Sequence, residues 1–145
     1  MKNSKKLAYA SLAGVAALTV NSCGKYEDGP KFSLLSKKSR MVGTWDVISN
    51  TDSQTGATEN FCQNGNYCIE ITMDKDNKLT QNLSDGSYSY TYSGTWDFNS
   101  DKSELLWTID GYTQKYEIKR LTNKELWLDD NITSADGDIL KLEAN

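Results

Sequence analysis

The chain has 145 residues, 16 Lys+Arg against 20 Asp+Glu and not one His, for a formal net charge of -4; a length near the usual domain size fits one domain. Without histidine there is no Ser-His-Asp or Cys-His nucleophile system, no imidazole metal site and no side chain that naturally titrates near neutral pH. An acidic balance with a pI near 4.8 speaks against a nucleic-acid partner, because that binding is driven by neutralising phosphates with Lys and Arg.

Lys2, Lys5 and Lys6 form a basic head ahead of an apolar run from Leu7 to Val20, broken only by Ser11, Gly14 and Thr19. A membrane helix needs ~20 residues, so this shorter run fits the hydrophobic region of a secretory signal. Val20-Asn21-Ser22-Cys23 then places a small residue directly before a cysteine, and it resembles a bacterial lipobox. The resemblance implies a lipoprotein signal peptide over residues 1–22 and a mature chain that begins at Cys23, carrying a diacylglycerol on its thiol and a fatty acyl chain such as palmitate on its amino group. At ~0.8 kcal/mol per buried methylene, two or three chains hold a protein on a membrane essentially permanently. With the three lysines of the head removed, 13 basic groups face 20 acidic ones, so the mature chain is more acidic than the whole. Residues 23–31 follow as a tether: Gly24-Lys25-Tyr26-Glu27-Asp28-Gly29-Pro30 is polar, short and closed by the only proline. Its acidic residues resemble the surface-export signal of Bacteroidota lipoproteins, and a plain solvated spacer is the alternative. The expected location is the outer membrane, either facing the periplasm or exposed at the cell surface.

Residues 32–145 read as the folded domain. Phe32 to Val42 contains serines able to cap a helix, no Gly or Pro, and apolar residues at 34, 35, 41 and 42, which predicts one or two helical turns ending at Gly43. Beyond it the chain is rich in Trp, Tyr, Ile, Val and Thr with regularly spaced turn signals, the signature of an all-β sandwich or barrel. Strands are predicted at 43–49, 57–62, 67–73, 78–83, 87–98, 104–110, 112–121, 125–129 and 138–143. Hairpin turns fall at Asn64-Gly65, Asp76-Asn77, Asp85-Gly86, Asp101-Lys102, Asp110-Gly111, Thr122-Asn123 and Asp136-Gly137. Connections this short join antiparallel neighbours, so the simplest topology is an up-and-down meander of eight or nine strands, enough to close into a barrel and remove exposed edges.

The clearest alternation sets Tyr88, Tyr90, Tyr92, Gly94, Trp96 and Phe98 on one face against Ser87, Ser89, Thr91, Ser93, Thr95 and Asp97 on the other. Mid-strand Gly94 allows a sharp bend or a bulge, and a bulge would reverse the facing of Trp96. Gly43-Thr-Trp-Asp-Val-Ile-Ser49 and Gly94-Thr-Trp-Asp-Phe-Asn-Ser100 share five of seven positions. A duplicated half-barrel would produce that match; two strands solving the same packing problem is favoured, because no other segment repeats at that spacing.

A short helix leading into Gly43-Thr44-Trp45, followed by a β-meander, is similar to the lipocalin pattern. The mature chain to about residue 129 resembles the small lipocalin-like lipoproteins of Bacteroidota. The likeness is carried by the tether, Ser36-Lys37-Lys38-Ser39-Arg40, Gly43-Thr44-Trp45, Gly94-Thr95-Trp96, Tyr116-x-Ile118-x-x-Leu121 and Leu126-x-Leu128. The resemblance implies an all-β, up-and-down antiparallel barrel with a short N-terminal helix. It also implies that Gly43 and Trp45 close one barrel end, with Arg120, the only late arginine, stacked on the tryptophan.

Cys62 and Cys68 flank Gln63-Asn64-Gly65-Asn66-Tyr67, and in an exported protein two thiols across a turn read as a disulfide. A three-residue loop, Asn64 to Asn66, puts the two cysteines opposite each other at a bridgeable distance. A thiolate metal or redox pair lacks any further soft ligand. Asp74-Lys75-Asp76-Asn77 opens like a calcium loop, but Lys78 and Leu79 fall where an oxygen ligand and a glycine belong, so a plain hairpin turn is the reading. Asp129, Asp130, Asp136 and Asp138 group as a weak cation site or a glycosidase pair, or as ordinary solvated punctuation. The reading is a non-enzymatic protein without cofactor or metal.

Tyr88, Tyr90, Tyr92, Trp96, Trp107 and Tyr116 carry the functional expectation: aromatic walls of a cup that takes a small hydrophobic or aromatic ligand. The alternative is a solid barrel whose loops or outer face contact an envelope protein or a glycan, since eight strands enclose either packed side chains or one small ligand. A cavity distinguishes the first. Solvent-facing Tyr88, Tyr90 and Tyr92, or a contiguous exposed aromatic patch, favour the second.

Overall fold

The computed structural model describes residues 34–63, 67–130 and 137–145. The signal, the lipobox cysteine Cys23, the tether and Asp136 lie outside the described residues. One short helix, α1 (Lys37–Met41), precedes nine strands: β1 (Gly43–Thr51), β2 (Thr58–Asn60), β3 (Cys68–Met73), β4 (Lys78–Ser84), β5 (Ser89–Phe98), β6 (Glu104–Ile109), β7 (Tyr112–Leu121), β8 (Glu125–Asp129) and β9 (Ile139–Ala144). From β3 onward each strand pairs antiparallel with the next, and β9 returns to pair with β1 from Trp45 to Thr51, which closes the barrel.

The hairpins follow from turn chemistry. At Asp110-Gly111 both residues have positive φ, 51° and 81°, the requirement of a two-residue turn whose twist matches the strands. At the β3–β4 turn the Asp74 carboxylate accepts from the backbone N–H of Asp76 and of Lys78, each at 2.8 Å. The calcium-like run is therefore an Asx-stabilised hairpin.

Nine segments make eight barrel strands because β2 and β3 share one edge of β1. Ser49, Asn50 and Thr51 pair with β2, while Gly43 to Asp46 pair with β3. Both are antiparallel to β1, so they run in the same direction as the upper and lower halves of one interrupted strand. This corrects the expected hairpin between 57–62 and 67–73. The excursion between the halves is pinned at its base by the Cys62–Cys68 disulfide, with Cα atoms 4.5 Å apart, and by the Cys62 N–H donating to the Tyr67 carbonyl.

The helix plugs one end. Ser36 caps it, its hydroxyl accepting from the Ser39 N–H at 3.0 Å. Three basic side chains then tie it to two turns and a strand end at the same end: Lys37 to the Lys102 carbonyl, Lys38 to Asn77 Oδ1, and Arg40, almost fully buried, to the carbonyl of Leu121, the last residue of β7, at 2.8 Å. Behind it Met41, Trp45, Met73, Leu79, Trp96, Leu105, Leu121 and Leu126 form a packed core from the helix-proximal ends of the strands. Each such side chain contributes about 1.5–3 kcal/mol by leaving water.

Gly94 does not create a bulge. The β4–β5 and β5–β6 registers run through it without a shift, and Trp96 keeps the inward facing. The reason for glycine is close approach: a Cβ there would sit 1.9 Å from the Thr108 carbonyl oxygen. The register irregularities fall instead between Val47 and Ser49 against β9 and between Ile118 and Arg120 against β8.

Candidate functional site

Strand polarity sorts the interior residues into two ends. Below, at the helix, the core is solid. Above a floor made by Val47, Ile71 and Trp107, the barrel opens into a cavity of about 550 Å³, inside the roughly 300–1,000 Å³ range of small-molecule sites. Its apolar wall is completed by Ile69 from β3, Ile109 from β6 and Leu140 from β9. Gln81 on β4 and Tyr112, Thr113, Gln114 and Tyr116 on β7 supply the polar part. Among the described residues, none that lines the cavity carries a charge.

Two of the six expected aromatics are in this lining, Trp107 and Tyr116, with their rings 5.3 Å apart at a 58° tilt. The other four are corrections. Trp96 is inside but at the closed end, its ring 5.7 Å from the Lys38 ammonium. Tyr88, Tyr90 and Tyr92 are 67, 57 and 40% exposed. Their register explains this: Tyr90 lies opposite Leu83 and Tyr92 opposite Gln81, on the inward face, but β6 pairs with β5 only from Gly94 downward. The upper part of β5 thus stands beyond the end of β6, flanked by β4 alone, and its rings rise above the mouth rather than into the cup. Tyr67 and Tyr112 are exposed at the same end, so the rim is marked by tyrosines.

Arg120 is also corrected. The register places it beside Trp127 on the outer face, 5.1 Å from that ring, with Glu125 as its ion-pair partner at 2.9 Å. Lys141 covers the same ring at 4.6 Å. The arginine at the closed end is Arg40, from the helix, which sequence reading passed over because a basic residue in a polar helix reads as solvated. Trp45 is buried at that end, 2% exposed, and its indole N–H donates to the Met41 carbonyl at 2.9 Å.

The tryptophans separate on this point. Trp96 likewise donates its indole N–H to a backbone carbonyl, that of Asp74, at 3.1 Å. The repeated Gly-Thr-Trp-Asp run thus recurs as two plugs of one barrel end. Trp107 differs: it is 5% exposed and its Nε1 has no hydrogen-bond partner. A buried donor left unmatched costs about 1–3 kcal/mol.

Tyr116 donates its hydroxyl to Gln114 Oε1 at 2.9 Å. Burial, followed by the nearby Asp130 carboxylate, pushes its pKa up to about 12, so it is a neutral phenol throughout the physiological range. The turns around the mouth are acidic, with Asp52, Asp85, Asp110, Asp130 and Asp138 and no Lys or Arg among the described turn residues. Backbone N–H groups, of Tyr88 first and then Ser87, hold the Asp85 carboxyl below the usual carboxylate range; Thr55 does the same first at Asp52. Asp129, Asp130 and Asp138 are engaged structurally: Lys119 pairs with Asp129 at 3.1 Å, the Asp138 N–H donates to Asp130, and Asn50 donates to Asp138.

A closed antiparallel meander, plugged by a short helix below and hollow above, defines a cup-shaped up-and-down β-barrel as the class. The family model described as a lipocalin-like domain matches residues 41–128, and the chain belongs to that family. No curated protein matches the chain closely enough to serve as a relative.

Proposed function

We propose that this protein is a lipid-anchored, outer-membrane binding protein that holds one small hydrophobic or aromatic molecule in the open end of its barrel. The observation that carries the reading is the uncharged cavity of about 550 Å³ above the Trp107 floor. Its mechanism is burial of apolar ligand surface against Ile69, Ile71, Ile109 and Leu140, with Trp107 and Tyr116 as flat, rigid walls. The lipobox-like Val20 to Cys23 and the basic-apolar head support the anchor.

Native mass spectrometry of the protein after incubation with an envelope lipid and metabolite extract tests the ligand. A stoichiometric small-molecule adduct, weakened by Trp107→Ala in a folded barrel, is expected; its persistent absence removes the carrier reading. Growth with an alkyne-tagged palmitate tests the anchor. Label on the wild type and none on Cys23→Ser is expected, and equal labelling of both removes Cys23 as the site.

A second reading rests on the rim. Tyr67, Tyr88, Tyr90, Tyr92 and Tyr112 expose their rings at one end of the molecule, and planar aromatics on a surface suit a glycan or protein partner. If no adduct forms, glycan and envelope-protein binding at this rim becomes the function.

A further inference from the structure

We propose that the open edge of β5 above the mouth is a strand-addition site, which takes an extended segment of a partner protein with Lys or Arg at both ends of an uncharged run of about five residues. The proposal narrows the rim reading to one kind of occupant and does not depend on a ligand in the cup.

Exposed tyrosine rings suit many partners, but an unpaired strand edge suits another strand. β6 pairs with β5 only up to Gly94, so on that side residues 89–93 have no neighbouring strand among the described residues, and all five are exposed. Which backbone groups point there follows from the ladder. The Trp96 N–H donates to the Asn77 carbonyl, and the Tyr88 carbonyl accepts from the Asp85 N–H, both on the β4 side. Backbone groups alternate between the two edges of an antiparallel strand, so the N–H and C=O of Ser89 and Thr91 face the open side and are left to water.

This edge is also undefended. Proteins blunt open edges with charge, proline, bulges or brevity. Residues 86–96 contain no charged residue and no proline, and the β4–β5 register runs along them without a shift. Other open edges among the described residues are guarded: β2 is three residues long and carries Glu59, and β7 above Glu117, where its pairing with β8 stops, carries Lys115.

Charge selects the occupant. The Asp85 turn stands at the upper end of the edge and the Asp110 turn, beside the Gly94–Ile109 pair, at its lower end, with no Lys or Arg among the described mouth-turn residues to offset them. A second copy pairing antiparallel about Tyr90 would bring each Asp110 to the other's Asp85 turn, so like charges meet at both ends. A segment with a cation at each end meets opposite charges instead. Between the cations, alternate side chains of the added strand lie beside Tyr88, Tyr90 and Tyr92 on one face and beside Ser89 and Thr91 on the other.

The test uses the full-length protein in neutral detergent and the end-capped peptide Lys-Val-Thr-Val-Thr-Val-Lys, whose threonines fall opposite Ser89 and Thr91. Three derivatives are compared with it: one N-methylated at both threonines, one N-methylated at the central valine, and one with Glu in place of both Lys. Binding is read from the ¹⁵N–¹H shifts and hydrogen exchange of the Ser89 and Thr91 amides. The parent peptide is expected to move both signals downfield and slow their exchange. Methylation of the threonines removes the donors that face β5 and should weaken binding about tenfold or more. The central valine nitrogen faces away, so its methylation should leave affinity within about twofold. The Glu peptide, and the parent peptide on the Asp85→Asn, Asp110→Asn double variant, should each bind about three- to tenfold weaker. Thr91→Pro removes an N–H that has no partner in the barrel, so it should fold and lose the peptide's protection of Ser89. Should it not fold, the two methylated peptides still decide.

Equal effects of the two methylation patterns overturn strand addition. Equal binding of the Lys and Glu peptides overturns the cationic class. Protection of Ser89 and Thr91 that grows with protein concentration in the absence of peptide assigns the edge to a second copy and overturns the partner. No change at either amide with any peptide overturns the whole proposal and leaves the cup reading, which is decided by the bound adduct, as it stands.

Discussion

At Gly94 a single methyl group is enough to disturb the barrel, because the atom it would meet is a backbone carbonyl, which cannot rotate away. Gly94→Ala should lower the unfolding free energy by about 1–3 kcal/mol, as overpacking does in cores, measured by urea denaturation. An unchanged midpoint would mean that β5 and β6 separate there at no cost. Tyr116 gives a pH prediction whose sign follows from its raised pKa. The folded phenol keeps its proton to about 12, while an unfolded tyrosine loses it near ~10. Stability from this group is whole below pH 10 and is lost as pH rises toward 12. Wild type should therefore lose more stability over that interval than Tyr116→Phe; parallel curves would place the phenol in solvent.

The interrupted strand and the helical plug are the elements that depart from a plain meander. Because the disulfide closes only a short excursion between β2 and β3, loop-entropy arithmetic gives it about 2 kcal/mol. The Cys62→Ser, Cys68→Ser double variant should lose about that much by denaturant titration and still show the β-sheet circular dichroism of the parent. Collapse of the barrel would mean that β2 is held by the bridge rather than by β1. For the plug, Arg40→Ala leaves the Leu121 carbonyl without its charged donor, and a loss of about 1.5–3 kcal/mol is expected. A neutral result would show that Lys37 and Lys38 suffice to seat the helix.

The whole molecule has a stability gradient along the barrel axis. Large side chains fill the helix end, while the other end is hollow and the upper part of β5 is paired on one edge only. Amide exchange follows local opening, so residues 89–93 should exchange well before Trp45, Leu105 and Leu121. Uniform protection would contradict a cup open at one end. Charge is uneven as well: the described mouth turns carry aspartates and no Lys or Arg, whereas the turns at the plug carry both signs, with Lys75, Lys102 and Lys124 beside Asp74, Asp76 and Asp101.

Periodicity and turn chemistry are local, and they carried the reading a long way. The all-β meander, the short helix before Gly43, the Asp110-Gly111 hairpin, the Cys62–Cys68 pairing and the inward face of Trp96 and Trp107 were all legible because period two and positive-φ turns are written in adjacent residues. What local signals lack is the length and position of neighbouring strands. Tyr90 and Tyr92 have the right face and the wrong height, because β6 stops short of them. The segments on either side of the disulfide look like a hairpin, yet both pair with β1, a choice made by the barrel and not by the loop. Arg40 rather than Arg120 sits at the plug because only packing decides which cation finds a buried carbonyl. The sequence determined the strands, the turns and the inward face of residues such as Trp96 and Trp107; the tertiary structure alone decided where the interior is filled and where it is hollow, since those depend on contacts between residues far apart in the chain.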